Sequence, residues 1–327
     1  MRIPVLCLVL AAAVCHAQSS GSGPKPPWAG GSKSSTPAKN DSATVGEDTT
    51  FKVDVKLVNV FVTVTDERGA PVANLTKDNF QLLEDDHPQK ISVFSKESEL
   101  PLSIVLAIDT SLSTRKDLTL ELNSARRFAR AIVRPVDALS IYGFNEVVDQ
   151  AVPFTSDLRA IDRGVEHLQL GAATALYDAI YVAGEALEAR QGRKVMVVIT
   201  DGGDTVSKTD YQEALRAAQI SEAVVYSIIV VPIEASAGRD TGGEHALIQL
   251  SSDTGGKYFY ATNMSQLDEA FRTISDELRT QYLLAYYPIQ RLADSDFRRI
   301  EVKLNGVASA SDYKTRHRTG YYTSKIH

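Results

Sequence analysis

Asp109, Ser111 and Ser113 stand in the spacing Asp-x-Ser-x-Ser, directly after an unbroken apolar run at residues 104–108. The run reads as a buried β-strand that delivers one carboxylate and two hydroxyls to the loop at its carboxyl end. Compact, oxygen-only and mostly uncharged ligands suit a hard divalent cation, and the absence of Cys and His among them disfavours zinc and copper. Two further pieces carry the same chemistry. Thr174 lies in Gly171-Ala-Ala-Thr174, ahead of a helical pattern, and Asp201 follows a second apolar run, 195–199, in Thr200-Asp201-Gly202. Asp-x-Ser-x-Ser by itself is as readily an N-cap pair at a strand-to-helix turn. The metal argument rests on all three pieces lying just beyond the carboxyl ends of strands, where open α/β sheets build their sites.

The elements that must hold these residues are legible as changes of hydrophobic period. Between residues 101 and 280 the pattern predicts helices near 117–133, 158–168, 175–189, 209–222, 244–251 and 264–278. Strands are predicted at 104–108, 195–199, 224–231 and 257–260, with 138–144 and 147–154 as a hairpin across Asn145-Glu146. Such alternation predicts an α/β fold with a doubly wound, mostly parallel sheet. Both flanks are β-patterned. Residues 51–98 alternate β-branched and polar positions, with turns at Asp66-Glu67-Arg68-Gly69 and at 85–88, a short strand at Pro71-Val72 and a helical turn at 75–80. Residues 281–323 supply further strands near 281–287, 298–304, 315–318 and 321–322. Each flank is too small to stand alone, so the two are expected to form one β-sandwich with the α/β domain inserted in it.

At these residues the chain resembles a von Willebrand factor type A domain. Asp109, Ser111, Ser113, Thr174 and Asp201 match that family's metal-ion-dependent adhesion site one by one. The flanking motifs Asp66-x-x-Gly69-x-Pro71, Asp78-x-Phe80, Glu84-Asp85 and Arg318-Thr-Gly320-Tyr321-Tyr322 resemble secreted bacterial VWFA-related proteins of the Acidobacteria type, across residues 51–323. The resemblance implies a Mg²⁺ or Mn²⁺ ion bound directly by Ser111 and Ser113. Thr174 would bind directly or through water, and Asp109 and Asp201 would mainly orient waters and hydroxyls. It also implies a protein partner whose Asp or Glu carboxylate reaches the ion, and a last helix, 264–278, whose movement is felt in the sandwich. Asp204 is a further acid at the rim.

Composition narrows the classes. A formal net charge of −6 over 327 residues argues against nucleic acid as a partner. No Gly-x-Ser-x-Gly elbow or Gly-x-x-x-x-Gly-Lys loop is present, and the histidines form no His-x-x-x-His pair. An enzyme is therefore not expected. A phosphatase-like hydrolase using the same ion, or a structural envelope module, is the alternative. Residues 1–17 read as a secretory signal peptide, with Arg2 ahead of an apolar core and Ala17 at the cleavage point. Its removal would take both cysteines, Cys7 and Cys15, and leave 34 basic against 41 acidic residues. Residues 18–50 are Ser-, Gly- and Pro-rich and read as a flexible linker. A secreted or periplasmic protein without a transmembrane segment is expected.

Overall fold

The computed structural model describes residues 57–96, 100–112, 118–231, 241–289, 297–307 and 312–323, all within one unit spanning 53–327. The signal-peptide and linker expectations, the first residues of the 51–98 flank, and Ser113 lie outside the described residues.

A six-stranded sheet forms the centre, in the order β10 (Tyr258–Ala261), β9 (Val224–Val230), β8 (Arg193–Thr200), β5 (Leu102–Asp109), β6 (Ala138–Phe144), β7 (Val148–Thr155). Every neighbouring pair is parallel except β6 and β7, the hairpin at one edge. β5 is buried at all eight positions because helices cover both of its faces. Ile104, Leu106 and Ile108 point into a core shared with α1 (Leu118–Ile132), α2 (Leu158–Val165) and α6 (Met264–Thr280). Val105 and Ala107 point the other way, towards α3 (Leu176–Glu188), α4 (Tyr211–Ile220) and α5 (Thr241–Thr254). The strand order reverses between β5 and β8, so their carboxyl ends flank the crevice of the doubly wound fold.

The flanks supply two further four-stranded sheets. The first runs in the order β13 (Lys314–Arg316), β1 (Val58–Thr65), β11 (Tyr282–Tyr286), β4 (Ile91–Lys96). Here β1 pairs antiparallel with β11, which pairs in turn with β4. The second runs in the order β14 (Gly320–Tyr322), β12 (Phe297–Leu304), β2 (Phe80–Glu84), β3 (His87–Gln89), with β2 antiparallel to β12. Val58, Val60, Val62 and Val64 alternate inward along β1. They meet Leu82, Tyr282, Leu284, Tyr286, Ile300 and Val302 in one apolar core.

The fold class expected from the sequence is the one observed. Two local expectations change. The short strand at Pro71-Val72 is reduced to a single bridge, Thr65 to Pro71. The turn placed at 85–88 is tighter, because Asp85 and Asp86 both adopt left-handed backbone (φ 45° and 66°), and pairing resumes at once in β3. β3 is an edge strand, so Pro88 breaks no interior ladder.

The amino ends of the central strands meet the sandwich through buried polar groups. Arg193, at the start of β8, donates to Gln281 Oε1 at 2.5 Å, and Gln281 Nε2 donates to Thr63 of β1 at 3.0 Å. Glu277 of α6 is fully buried and pairs with Arg316 of β13 at 2.6 Å. In the sandwich, Glu84 accepts from the Tyr321 hydroxyl at 2.9 Å, joining two of the flanking sequence motifs.

Candidate functional site

The site is built at the opposite, carboxyl ends of the central strands. β5 and β8 run in parallel register with Ile108 opposite Ile199, which sets Asp109 beside Thr200. Asp109 is 0% exposed. Its Oδ2 accepts from the Thr200 hydroxyl at 2.6 Å and its Oδ1 from the Ser111 backbone N–H at 2.8 Å. Burial pushes the Asp109 carboxyl above its ordinary range, and the bonds from Thr200 and Ser111 recover only part of that shift. Gly202 donates its N–H to Thr200 Oγ1 at 3.2 Å, closing the turn that carries half-buried Asp201.

The loop bearing Thr174 is brought alongside by its backbone. Ser111 and Gly171 form an isolated parallel bridge, with the Gly171 N–H donating to the Thr110 carbonyl at 3.0 Å. Thr174 itself is buried; its N–H donates to Thr205 Oγ1 at 2.9 Å, and its carbonyl accepts from the Thr205 N–H at 2.8 Å. These bonds engage the backbone of Thr174 and do not compete for its hydroxyl. Asp109, Ser111, Thr174 and Asp201 thus belong to three segments joined by direct hydrogen bonds, while Ser113 falls outside the described residues.

Several residues that hold this arrangement were not singled out by sequence. The Glu146 carboxylate accepts from the N–H groups of Ala172 and Ala173 at 2.7 and 3.3 Å. Its own backbone N–H, with those two, holds it below the usual carboxylate range. Asn145 donates to Thr110 Oγ1 and to the Gln169 carbonyl, both at 3.1 Å. Gly171 has no Cβ where one would collide with Asn145 and Glu146. Asp204 proves to be an anchor: it accepts from the Tyr177 N–H at 3.2 Å, from the Ser207 N–H at 3.2 Å and from the Ser207 hydroxyl. The Asn145-Glu146 hairpin tip and the Thr before Asp201 were the available sequence signals. Their partners lie 24 to 91 residues away and leave no local pattern.

The donor chemistry fits a hard cation. Carboxylate and hydroxyl side chains are carried on segments joined by hydrogen bonds, and among the described residues no group of three or more His, Cys, Asp or Glu side chains that could hold a metal is found. Residues 104–203 match the family model of the von Willebrand factor type A domain. That stretch is similar to the von Willebrand factor type A family. No curated protein matches the chain. In overall form it is similar to a von Willebrand factor type A protein from Catenulispora acidiphila, at 12% identity and TM-score 0.49, covering 82% of this chain and 75% of that one. It is also similar to the PilB minor pilin from Streptococcus sanguinis, at 12% identity and TM-score 0.45 over 56% of this chain. The chain spans 62% of that pilin, less than two thirds of its length. The vWF domain of the type V pili tip protein Mfa5 from Porphyromonas gingivalis is a third likeness, at 12% identity and TM-score 0.43, over 54% of this chain and 94% of that one. Among the described residues, no helix is long and apolar enough to cross a membrane.

Proposed function

We propose that this von Willebrand factor type A-like domain is a non-enzymatic, metal-dependent binding module that recognises a protein partner through a carboxylate. Ser111, Ser113 and Thr174 would hold Mg²⁺ or Mn²⁺, with Asp109 and Asp201 orienting hydroxyls and waters around it. When bound, the ion supplies an electron-poor position open to a partner's Asp or Glu. The observation that carries the reading is Asp109: a fully buried carboxylate, fixed by Thr200 and Ser111, at the crevice where the Thr174 and Asp201 loops meet. Ionised carboxylates are costly to bury, and a neighbouring cation offsets that cost. Asp204, the acid that a hydrolase would have needed beside the ion, is engaged in holding the Tyr177 and Ser207 backbone. The secretory pattern at residues 1–17 supports action outside the cytoplasm.

The test is affinity capture from the native cell envelope with the intact protein, with and without chelator, beside an Asp109→Ala variant. A partner retained by wild type in Mg²⁺ and lost in both controls supports the module. Retention that ignores chelator and variant alike contradicts it.

A further inference from the structure

Past the last residue pair between β12 and β14, Arg299 with Gly320, the edge of β12 is completed by a side chain. Ile300 donates its N–H to the Thr319 carbonyl at 2.8 Å, and two residues on Val302 donates its N–H to His317 Nε2 at 3.1 Å. The other ring nitrogen of His317, Nδ1, lies 2.8 Å from the Arg318 carbonyl oxygen. A backbone N–H can only donate, so Nε2 carries the lone pair and Nδ1 carries the proton that the carbonyl accepts. The ring is thereby fixed as one neutral tautomer, and a second proton, on Nε2, would face the Val302 N–H. The residues beside His317 fasten the sandwich to the α/β domain. Thr319 donates its N–H to the Asp253 carbonyl in α5 at 2.9 Å, and Arg316 donates to the Gly256 carbonyl at 2.8 Å. Arg318 donates to the Asn59 carbonyl of β1 at 2.6 Å and lies 3.6 Å from Glu222, just ahead of β9. A Cβ on Gly255, whose φ is 82°, would collide with the His317 backbone.

We infer that His317 is an acid-sensitive latch: a second proton, taken from solvent, breaks its bond with Val302 and opens the joint that residues 316–319 make between the sandwich and the α5–β10 turn. The charged groups on the elements around it are accounted for. On β12, Glu301 favours the added proton, and Lys303 pairs with that carboxylate at 3.0 Å. Arg316 and Arg318, on either side in sequence, face Glu277 and Glu222, and Lys314 of β13 is exposed. Across the α5–β10 turn, Asp253 accepts from Gln249 at 3.0 Å, and Lys257 lies 3.9 Å from Glu277. Burial outweighs the Arg318 carbonyl and Glu301, and holds the half-buried ring below its ordinary pKa of 6.5. A histidine kept neutral by the fold contributes its stability above 6.5, and that contribution is lost as pH falls through the lower folded value. Neutral pH therefore closes the joint and acid loosens it. The latch lies at the amino end of the parallel strands, away from the oxygen donors at their carboxyl ends.

The test follows the intact wild type and His317→Gln by NMR from about pH 7.5 to about pH 5, the range in which histidine titrates. Two signals are read: the His317 ring nitrogens, and hydrogen exchange of the Val302 amide corrected for its intrinsic rate. Glutamine keeps an acceptor for the Val302 N–H and has nothing to titrate. In wild type, Val302 exchange is expected to rise by up to about tenfold per pH unit below 6.5 as the ring takes up its proton. His317→Gln is expected to show no such rise, and the amide of Val105 in β5 is expected to stay protected in both proteins. The same rise in His317→Gln overturns the latch. Equal loss of protection at Val105 also overturns it, because acid would then be a general denaturant. Should His317→Gln not fold, wild type alone decides. Ring protonation and Val302 opening with one midpoint support the latch, and a ring that is protonated while Val302 stays protected contradicts it.

Discussion

Asp109 and Asp137 are at opposite ends of neighbouring parallel strands, and both are hidden from water, at 0% and 3% exposed. Their described hydrogen-bond partners differ. Asp137 receives the Leu102 N–H at 2.8 Å, the Arg134 N–H at 2.9 Å and the Arg134 guanidinium at 2.9 and 3.0 Å. Burial alone would raise its pKa, but the guanidinium and the two backbone donors outweigh burial and hold it below the usual carboxylate range. Asp109 receives a hydroxyl and an amide, and its pKa goes up. Asp137 is a fastener with a cation built in, whereas Asp109 accepts from the Thr200 hydroxyl and the Ser111 amide. The amino ends of the sheet are closed against the sandwich; the carboxyl ends present the site.

The largest test of this contrast removes the sandwich side. Deleting residues 281–327 takes away β11, which lies between β1 and β4 in its sheet. It also removes Gln281 from Arg193 and Arg316 from Glu277. Residues 57–96 are expected to lose protection from hydrogen exchange and limited proteolysis; an N-terminal flank that stays protected would contradict the shared sandwich.

Asp137→Ala comes next. It strands the Leu102 N–H and the Arg134 guanidinium, and is expected to cost about 2 kcal/mol in chemical denaturation at neutral pH. The sign with pH follows from the lowered pKa. Asp137 contributes its stability above the ordinary carboxylate value of 3.8, and that contribution is lost as pH falls through the still lower folded value. The gap between wild type and variant should therefore close in acid. Gln281→Ala, which removes the acceptor of Arg193 and the donor to Thr63, is expected to cost about 1 kcal/mol by the same measurement.

The smallest effect on stability and the more telling one on function belongs to Gly171→Ala. A Cβ there meets Asn145 and Glu146, so the segment leading to Thr174 must shift. Stability is expected to change by about 1 kcal/mol or less, because loop segments relax more readily than cores. Mg²⁺ affinity is expected to fall several-fold in calorimetry. A large loss of stability with unchanged affinity would move Gly171 from the site to the fold.

Most of the architecture was legible because it is periodic. The runs 104–108 and 195–199 and the helical spacing of Leu118, Leu122, Ala125, Phe128 and Ile132 mark elements whose burial follows from composition. The placing of Asp109 and Asp201 at the ends of those strands was legible for the same reason. The supporting bonds were not. Thr200 to Asp109, Asn145 to Gln169 and Thr205 to Thr174 join positions that only strand order and register bring together. β3 was missed because two left-handed aspartates make a turn shorter than their composition suggests.

The central claim is that the oxygen donors gathered by Asp109 hold a divalent cation without being needed for the fold. Isothermal titration of Mg²⁺ into the intact wild type and into Asp109→Ala, with thermal melts of both in chelator, tests it directly. The account predicts saturable binding in wild type, at least a tenfold loss in the variant, and metal-free melting temperatures that stay close. A hundredfold excess of Mg²⁺ over Kd should add about 2.7 kcal/mol to the wild type alone. Equal Mg²⁺ affinity in the two proteins would contradict it.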